Sequence, residues 1–269
     1  MAATAAGAAL TRQHRRTQVQ IRALILRRLL SLWPMLDPAR LDDTSPAFVA
    51  AAVDLVRGGH ALSARAAASY YLAYRVAEGA GGIVPTIVPA VLDVDAVRTS
   101  IVVTGPVALK RATGNGAPFA ASVPNALTQV SGAVARHVQS GSWDTVQGAV
   151  QRDQQAQGWA RVADASGCAF CLMLASRGPA YKSEGTAGFE AHDHCACGIE
   201  PAFDGYQWDP VAEKAAEAWA AATNRDGDWF QQWNDDYIAR GGTAAENAKG
   251  RSSKLINGPF RAYLAENPL

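Results

Sequence analysis

Cysteine is scarce in this sequence, and it is crowded: Cys168, Cys171, Cys195 and Cys197 are the only four. That excludes a disulfide framework spread along the fold. No apolar run is long and unbroken. The best, around Ile21 to Trp33, is interrupted by Arg22, Arg27 and Arg28, so it is neither a membrane span nor a signal-peptide core. No targeting segment is evident, and the expectation is folding in a reducing cytoplasm, where clustered cysteines more often bind metal than form disulfides. Net charge is nearly absent: Lys plus Arg is 25 and Asp plus Glu is 24, giving +1. A whole-surface nucleic-acid binder would be more basic. Thr104-Gly105-Pro106 and Gly114-Asn115-Gly116 lack the Gly-Lys-Ser/Thr ending of a phosphate loop and read as turns. No serine sits in a nucleophile elbow. Internal repeats, sustained heptad seams and serine-rich or acidic linkers are missing as well.

What is present is mostly helical pattern. Apolar residues make up 49% of the 269, enough for a real core. Six arginines (12, 15, 16, 22, 27 and 28) and no acid precede Asp37. Val19, Leu26, Leu29, Leu30 and Trp33 recur at helical spacing from Thr11 on, which predicts a basic amphipathic helix ended by Pro34 and Pro38. Its basic face is a solvated surface, or a contact for an acidic protein surface or DNA phosphates. Residues 1–9 are expected to fray. Thr44-Ser45-Pro46 predicts a helix start, with helices over 46–57 and 62–78 separated by Gly58-Gly59. A loop follows, marked by Pro85 and Pro89, with a short extended piece in 83–92. Helices are then expected from Asp93 or Asp95 to Val103, and over 107–112. The stretch 124–160 reads as one long helix, or two joined at Gly141-Ser142, with Leu127, Val130, Val134 and Val138 on one face.

Near Arg161 the character changes to Cys, His, Gly and Pro. Two residues lie between Cys168 and Cys171, and two between His192 and Cys195; Cys195 and Cys197 can chelate from a tight loop. Zinc takes four S or N ligands in a tetrahedron, with Zn–S near ~2.3 Å. The 23 residues between Cys171 and Cys195 make a loop a metal can close. The candidate metal ligands are therefore Cys168, Cys171, His192, Cys195 and Cys197, and His194 can stand in for His192. A fully side-chain-filled site is structural, so no catalytic residue is assigned. Other readings are a redox or disulfide pair, and a thiol nucleophile at Cys168 or Cys195 with His192 or His194 as base. An HNH-type metal nuclease needs a further His or Asn soon after Cys197, and no convincing one follows. His14, His60 and His137 are isolated and read as surface or capped histidines. Beyond Pro201 the aromatics, Trp219, Trp229, Phe230 and Trp233 among them, read as core. Helices are expected over 210–223 and 228–239, and 241–269 reads as an extended arm with one turn near Phe260 to Leu264.

Three passages carry a resemblance. They are Val102-Val103-Thr104-Gly105-Pro106-Val107-Ala108-Leu109-Lys110-Arg111, Cys168-Ala-Phe-Cys171 through Tyr181, and His192-Asp193-His194-Cys195-Ala196-Cys197 with Pro201 and Phe203. Together they resemble a head protein of actinobacterial tailed phages, similar to the MuF-like minor capsid (head morphogenesis) family. The general likeness covers about 120–205 and the actinophage type about 11–205. The resemblance implies a minor component of the capsid interior or portal vertex, made in the host cytoplasm. Its implied partners are the portal protein and the major capsid protein, and in some phages such a protein leaves with the DNA. Relatives in this slot are sometimes labelled capsid maturation proteases, but no Ser/His/Asp or Ser/Lys pattern here supports that label. The expected architecture is mainly α: a helical body over 1–160, a zinc-knuckle-like Cys/His module over 161–205 with a two-stranded ribbon, and aromatic helices and an arm over 206–269. The expected function is structural and non-enzymatic, with zinc as cofactor and no membrane. The competing classes are a capsid maturation protease and a DNA-binding protein using the basic helix.

Overall fold

The computed structural model describes residues 2–180, 191, 193–194, 197–224, 226–240 and 253–269. The chain is mainly helical, and three long helices dominate the described residues: α1 (Ala5–Leu32), α2 (Leu41–Ala77) and α5 (Phe119–Arg152). Two 3-10 turns, Trp33–Met35 and Pro38–Arg40, join α1 to α2. Helices α3 (Val94–Thr104) and α4 (Pro106–Gly114) pack on α5. Strands β1 (Gly158–Val162) and β2 (Gly198–Ala202) form an antiparallel ribbon, with Gly158 opposite Ala202 and Val162 opposite Gly198. Helix α6 (Ala169–Ala175) lies between the strands in sequence, and α7 (Pro210–Thr223), α8 (Asp228–Ala239) and α9 (Ser253–Glu266) follow.

Helices α1 and α2 run antiparallel, and their contacts advance by sevens along α1. Thr4 Oγ1 donates to Glu78 (2.7 Å), the Thr11 and Tyr70 hydroxyls share a hydrogen bond (2.8 Å), and Ser63 Oγ donates to Gln18 (2.7 Å). Ile25 then packs against Gly59. The buried stripe of α1 is Gly7, Thr11, His14, Gln18, Ile25 and Leu29. This corrects the expected face: Val19 and Leu30 are exposed, because hydrogen-bonding side chains take the inner positions of the first four turns. A seven-residue seam does exist, hidden from an apolar count by its polar members. Residues 2–9 do not fray. The Thr4 side chain caps α1 by accepting from Gly7 N–H, and Glu78 accepts from Ala3 and Thr4 N–H.

Two glycine signals also read differently in three dimensions. Gly58-Gly59 does not interrupt α2. A Cβ on Gly59 would lie 2.8 Å from Ile25 Cγ1 and 2.9 Å from Val138 Cγ2, so the glycine lets α1, α2 and α5 converge. Gly141 does not divide α5 either; a Cβ there would meet the His60 carbonyl oxygen at 2.5 Å. Each costs about 1 kcal/mol of helix propensity, offset by the close crossing. Helix α2 ends at Ala77 with Glu78 as its C-cap, and Gly79 follows in the left-handed region with φ 67°.

Helix α5 stops at Arg152, so the first three residues of β1, 158–160, are strand where helix is expected, and the ribbon starts earlier than the expected module. Trp159 of β1 and Ile199 of β2, with Phe203, share a core with Tyr71, Tyr74, Trp143 and Val146 of the helices. The ribbon is therefore welded to the bundle. The tail corrects the extended-arm reading: α9 is a 14-residue helix whose Phe260 is fully buried against Trp219. Residues 241–252 lie outside the described set.

One ion pair is fully internal. Arg75 Nε donates to Asp153 Oδ2 (2.8 Å), and both side chains are buried. Asp153 also accepts from the Tyr71 hydroxyl (3.0 Å) and Gln155 N–H (2.9 Å). The rest of the guanidinium donates to the carbonyls of Ala80, Gly81 and Ile83. Removing one partner of such a pair strands the other charge in the core. Asp153→Ala is expected to lower stability by about 3–5 kcal/mol, measured by chemical denaturation. A midpoint equal to the parent's would refute the role given to this pair.

Candidate functional site

The ribbon brings the two halves of the cysteine pattern to one end. Cys168 follows Val162 by six residues, Cys197 immediately precedes Gly198, and Val162 and Gly198 are the last rung. Cys168 is the N-cap of α6: its backbone is extended and its Sγ accepts from Cys171 N–H (3.4 Å). Cys168 is exposed, whereas Cys171 and Cys197 are buried in one apolar cluster with Leu172, Met173 and Ala212. Trp143 Nε1 donates to the Cys197 carbonyl (3.1 Å), tying this end of the loop to α5.

The turn before Cys197 also rests on α5. Arg136 Nε donates to Asp193 Oδ1 (2.9 Å) in a half-buried pair. A Cβ on Gly132 would lie 2.7 Å from His194 Nε2, so this glycine makes room for the turn. His194 itself adopts φ 67°, a conformation few non-glycine residues take. His192 and Cys195 lie outside the described residues. Among the described residues, no group of three His, Cys, Asp or Glu side chains is gathered for a metal. The described part of the module therefore unites Cys171 and Cys197 with apolar residues and stops short of a cage.

A second polar cluster has no counterpart in the sequence motifs. Glu200, on β2, is 1% exposed; it accepts from Thr11 Oγ1 (2.5 Å) and from the Tyr206 hydroxyl (3.1 Å). Burial pushes its carboxyl above the usual range. Burial, with the Glu200 charge second, also holds the Tyr70 and Tyr206 hydroxyls above theirs. The one available signal was an acid inside a five-residue strand.

All three isolated histidines are buried, which corrects the surface reading. His14 stacks on Tyr70 (ring centroids 4.3 Å apart) and its Nε2 meets Ser142 Oγ at 2.8 Å. His137 Nε2 meets Ser100 Oγ at 2.9 Å. The His14–Ser142 pair does not make a nucleophile site. Ser142 lies within α5 and is 2% exposed, and the cavity lined by both residues is about 10 Å³, far smaller than a substrate needs; a larger one of about 320 Å³ beside His14 is not lined by Ser142.

A family model described as VG15 protein matches residues 6–222, from the first turn of α1 into the last turn of α7. The chain belongs to the VG15 protein family. It is similar to the Gene 15 protein of Mycobacterium phage D29, at 31% identity over 133 residues that cover 36% of this chain and 48% of that protein. It is also similar to the Gene 15 protein of Mycobacterium phage L5, at 29% identity over 192 residues, 55% of this chain and 61% of that one. The match thus spans about half to three-fifths of these relatives. No solved structure matches. The family unit includes the three long helices, the ribbon and the cysteine excursion, and α8 and α9 lie beyond it. No helix among the described residues is long and apolar enough to cross a membrane.

The buried histidines set a pH dependence for this VG15 fold. Burial lowers His14 to about 4, and burial with the neighbouring Arg136 charge lowers His137 to about 4. The unfolded chain takes up these protons near pH ~6.5, and the folded chain does not until about pH 4. Stability is thus expected to fall as pH drops from ~6.5 towards 4. His14→Gln, which cannot titrate, should flatten part of that slope in denaturation curves at pH 7, 6 and 5. Equal slopes for parent and variant would count against it.

Proposed function

We propose that this protein is a minor capsid protein of the MuF-like head morphogenesis type. It acts by assembly at the portal vertex or capsid interior of a tailed phage. The supporting observation is that the family match, with relatives in two mycobacteriophages, covers the same residues that hold the three resembling passages. In this reading the protein is made in the host cytoplasm, works without catalysis and ends up in the virion. Its partners are the portal protein and the major capsid protein. We further propose a structural zinc held by four of the five candidates Cys168, Cys171, His192, Cys195 and Cys197. The metal would fix the excursion between β1 and β2, which has little core of its own.

Two measurements test this. Co-expression with portal and major capsid protein, followed by sedimentation, should place the chain in the procapsid fraction with the shell protein uncut. A new shell-protein fragment, lost on changing one Ser, Cys or His of this chain, would replace assembly with maturation proteolysis. A chain that stays at the top of the gradient would remove the assembly reading. Elemental analysis should give about one zinc per chain, lost in Cys168→Ser and Cys195→Ser along with cooperative unfolding. No metal, together with one unusually reactive thiol, would sink the zinc and bring the thiol-protease reading forward.

A further inference from the structure

The outward face of α1 carries a stripe of arginines with two apolar side chains among them. Arg12, Arg16, Val19, Arg27 and Leu30 are all exposed. At about 100° per residue they fall within roughly 80° of one another around the helix, opposite the buried stripe of Thr11, His14, Gln18 and Leu29. No ion pair to Arg12, Arg16 or Arg27 exists among the described residues. Val19 and Leu30 are 46% and 49% exposed. Phosphate-binding faces alternate basic with polar residues; apolar side chains among the arginines call for an acidic protein surface that also offers apolar area.

The chain carries such a surface at its other end. From Asp204 to Arg240 there are eight acids and three bases. Asp228, Gln231, Gln232, Asp235 and Asp236 of α8 are exposed. Between α8 and α9 lies a cleft of about 250 Å³, walled by the half-buried Trp229 and Trp233 and rimmed by Asp236, Glu266 and Arg240, with Arg240 in an exposed pair with Asp236 (3.6 Å). Trp229 Nε1 donates to Glu266 Oε2 (2.9 Å), which holds one indole edge and one carboxylate together. An arginine is the side chain that matches indole faces and carboxylates at once.

We propose that the Arg/Val/Leu stripe of α1 docks into the Trp229–Trp233 cleft and acidic α8 face of a second copy. The contact is head to tail, so each copy keeps one donor and one acceptor surface for further copies. Such heterologous contacts build rings when the rotation closes. The inference does not depend on the capsid reading.

The test is sedimentation velocity on the full chain across a concentration series. Association is expected in 50 mM salt and should weaken by roughly tenfold in 500 mM salt, as screening removes the charge attraction. Arg16→Glu/Arg27→Glu and, separately, Asp235→Arg/Asp236→Arg should each be monomeric. Mixed one to one, the two reversed variants should pair, because each retains one parental surface; neither retained pair of surfaces is like-charged in the mixture. A parent that is monomeric at both salts overturns the proposal. So does association that survives both reversals. A monomeric parent whose DNA binding is lost in Arg16→Glu/Arg27→Glu gives the stripe to DNA instead.

Discussion

The Arg75–Asp153 pair decides where everything after α5 goes. Burying two charges costs several kcal/mol per ion unless each is fully hydrogen-bonded. Here Asp153 receives the guanidinium, the Tyr71 hydroxyl and Gln155 N–H, while Arg75 spends its remaining donors on three carbonyls of the 80–83 turn. The end of α2, the turn after it and the end of α5 are thereby locked at one point. From Asp153 the path to the ribbon is short: Ala156 N–H bonds back to the Asp153 carbonyl, and Gln157 N–H bonds to Ala202. The same Tyr71 that holds Asp153 packs on Phe203 beyond β2. The position of the ribbon, and with it the end from which the cysteine excursion departs, is inherited from this pair.

Helix α1 is fastened by different physics at its two halves. Its C-terminal half buries Ile25 and Leu29 in an apolar core with Val53, Val134 and Val138. Its N-terminal half is held by Thr4, Thr11, His14 and Gln18, each hydrogen-bonded to another element. Buried polar groups add modest net stability when satisfied but cost about 1–3 kcal/mol each when stranded. A slip of α1 would strand several at once, so the polar half fixes register while the apolar half supplies burial. Thr11 also reaches Glu200, which links the first helix directly to the second strand.

That division explains what the sequence showed and what it hid. Helical class was legible because Ala- and Val-rich segments repeat near 3.6 residues, as in the buried row Val130, Val134 and Val138. The inner face of α1 was not legible, since Thr11, His14 and Gln18 look like surface residues until their partners 45 to 189 positions away are known. Gly59 and Gly141 look like breaks for the same reason: a close crossing and a helix end use the same residue type. At the cysteines, local spacing paired Cys168 with Cys171, and the structure puts them at the start of α6, the first exposed and the second buried. It did not show that Arg136, Gly132 and Trp143 of α5 form the bed for Asp193, His194 and Cys197.

The tail was misread because Asn257-Gly258-Pro259 carries turn chemistry, and tertiary packing overrides it. Phe260 enters the cluster that holds Cys171, Cys197, Leu172 and Ala215, so α9 covers the apolar side of the cysteine helix. The family match ends within α7, yet the last helix completes a core that begins inside the matched unit. The cluster around α6 is small and rich in alanine, and such a cluster gains little from burial alone. It is closed on one side by α9 and on the other by the loop that α5 supports. A metal bound at the cysteines would act on this same cluster, so metal binding and docking of the C-terminal helix should be energetically coupled. The described part of the excursion is then held by the β1–β2 rung at its sequence ends and by α7 and α9 packed against α6.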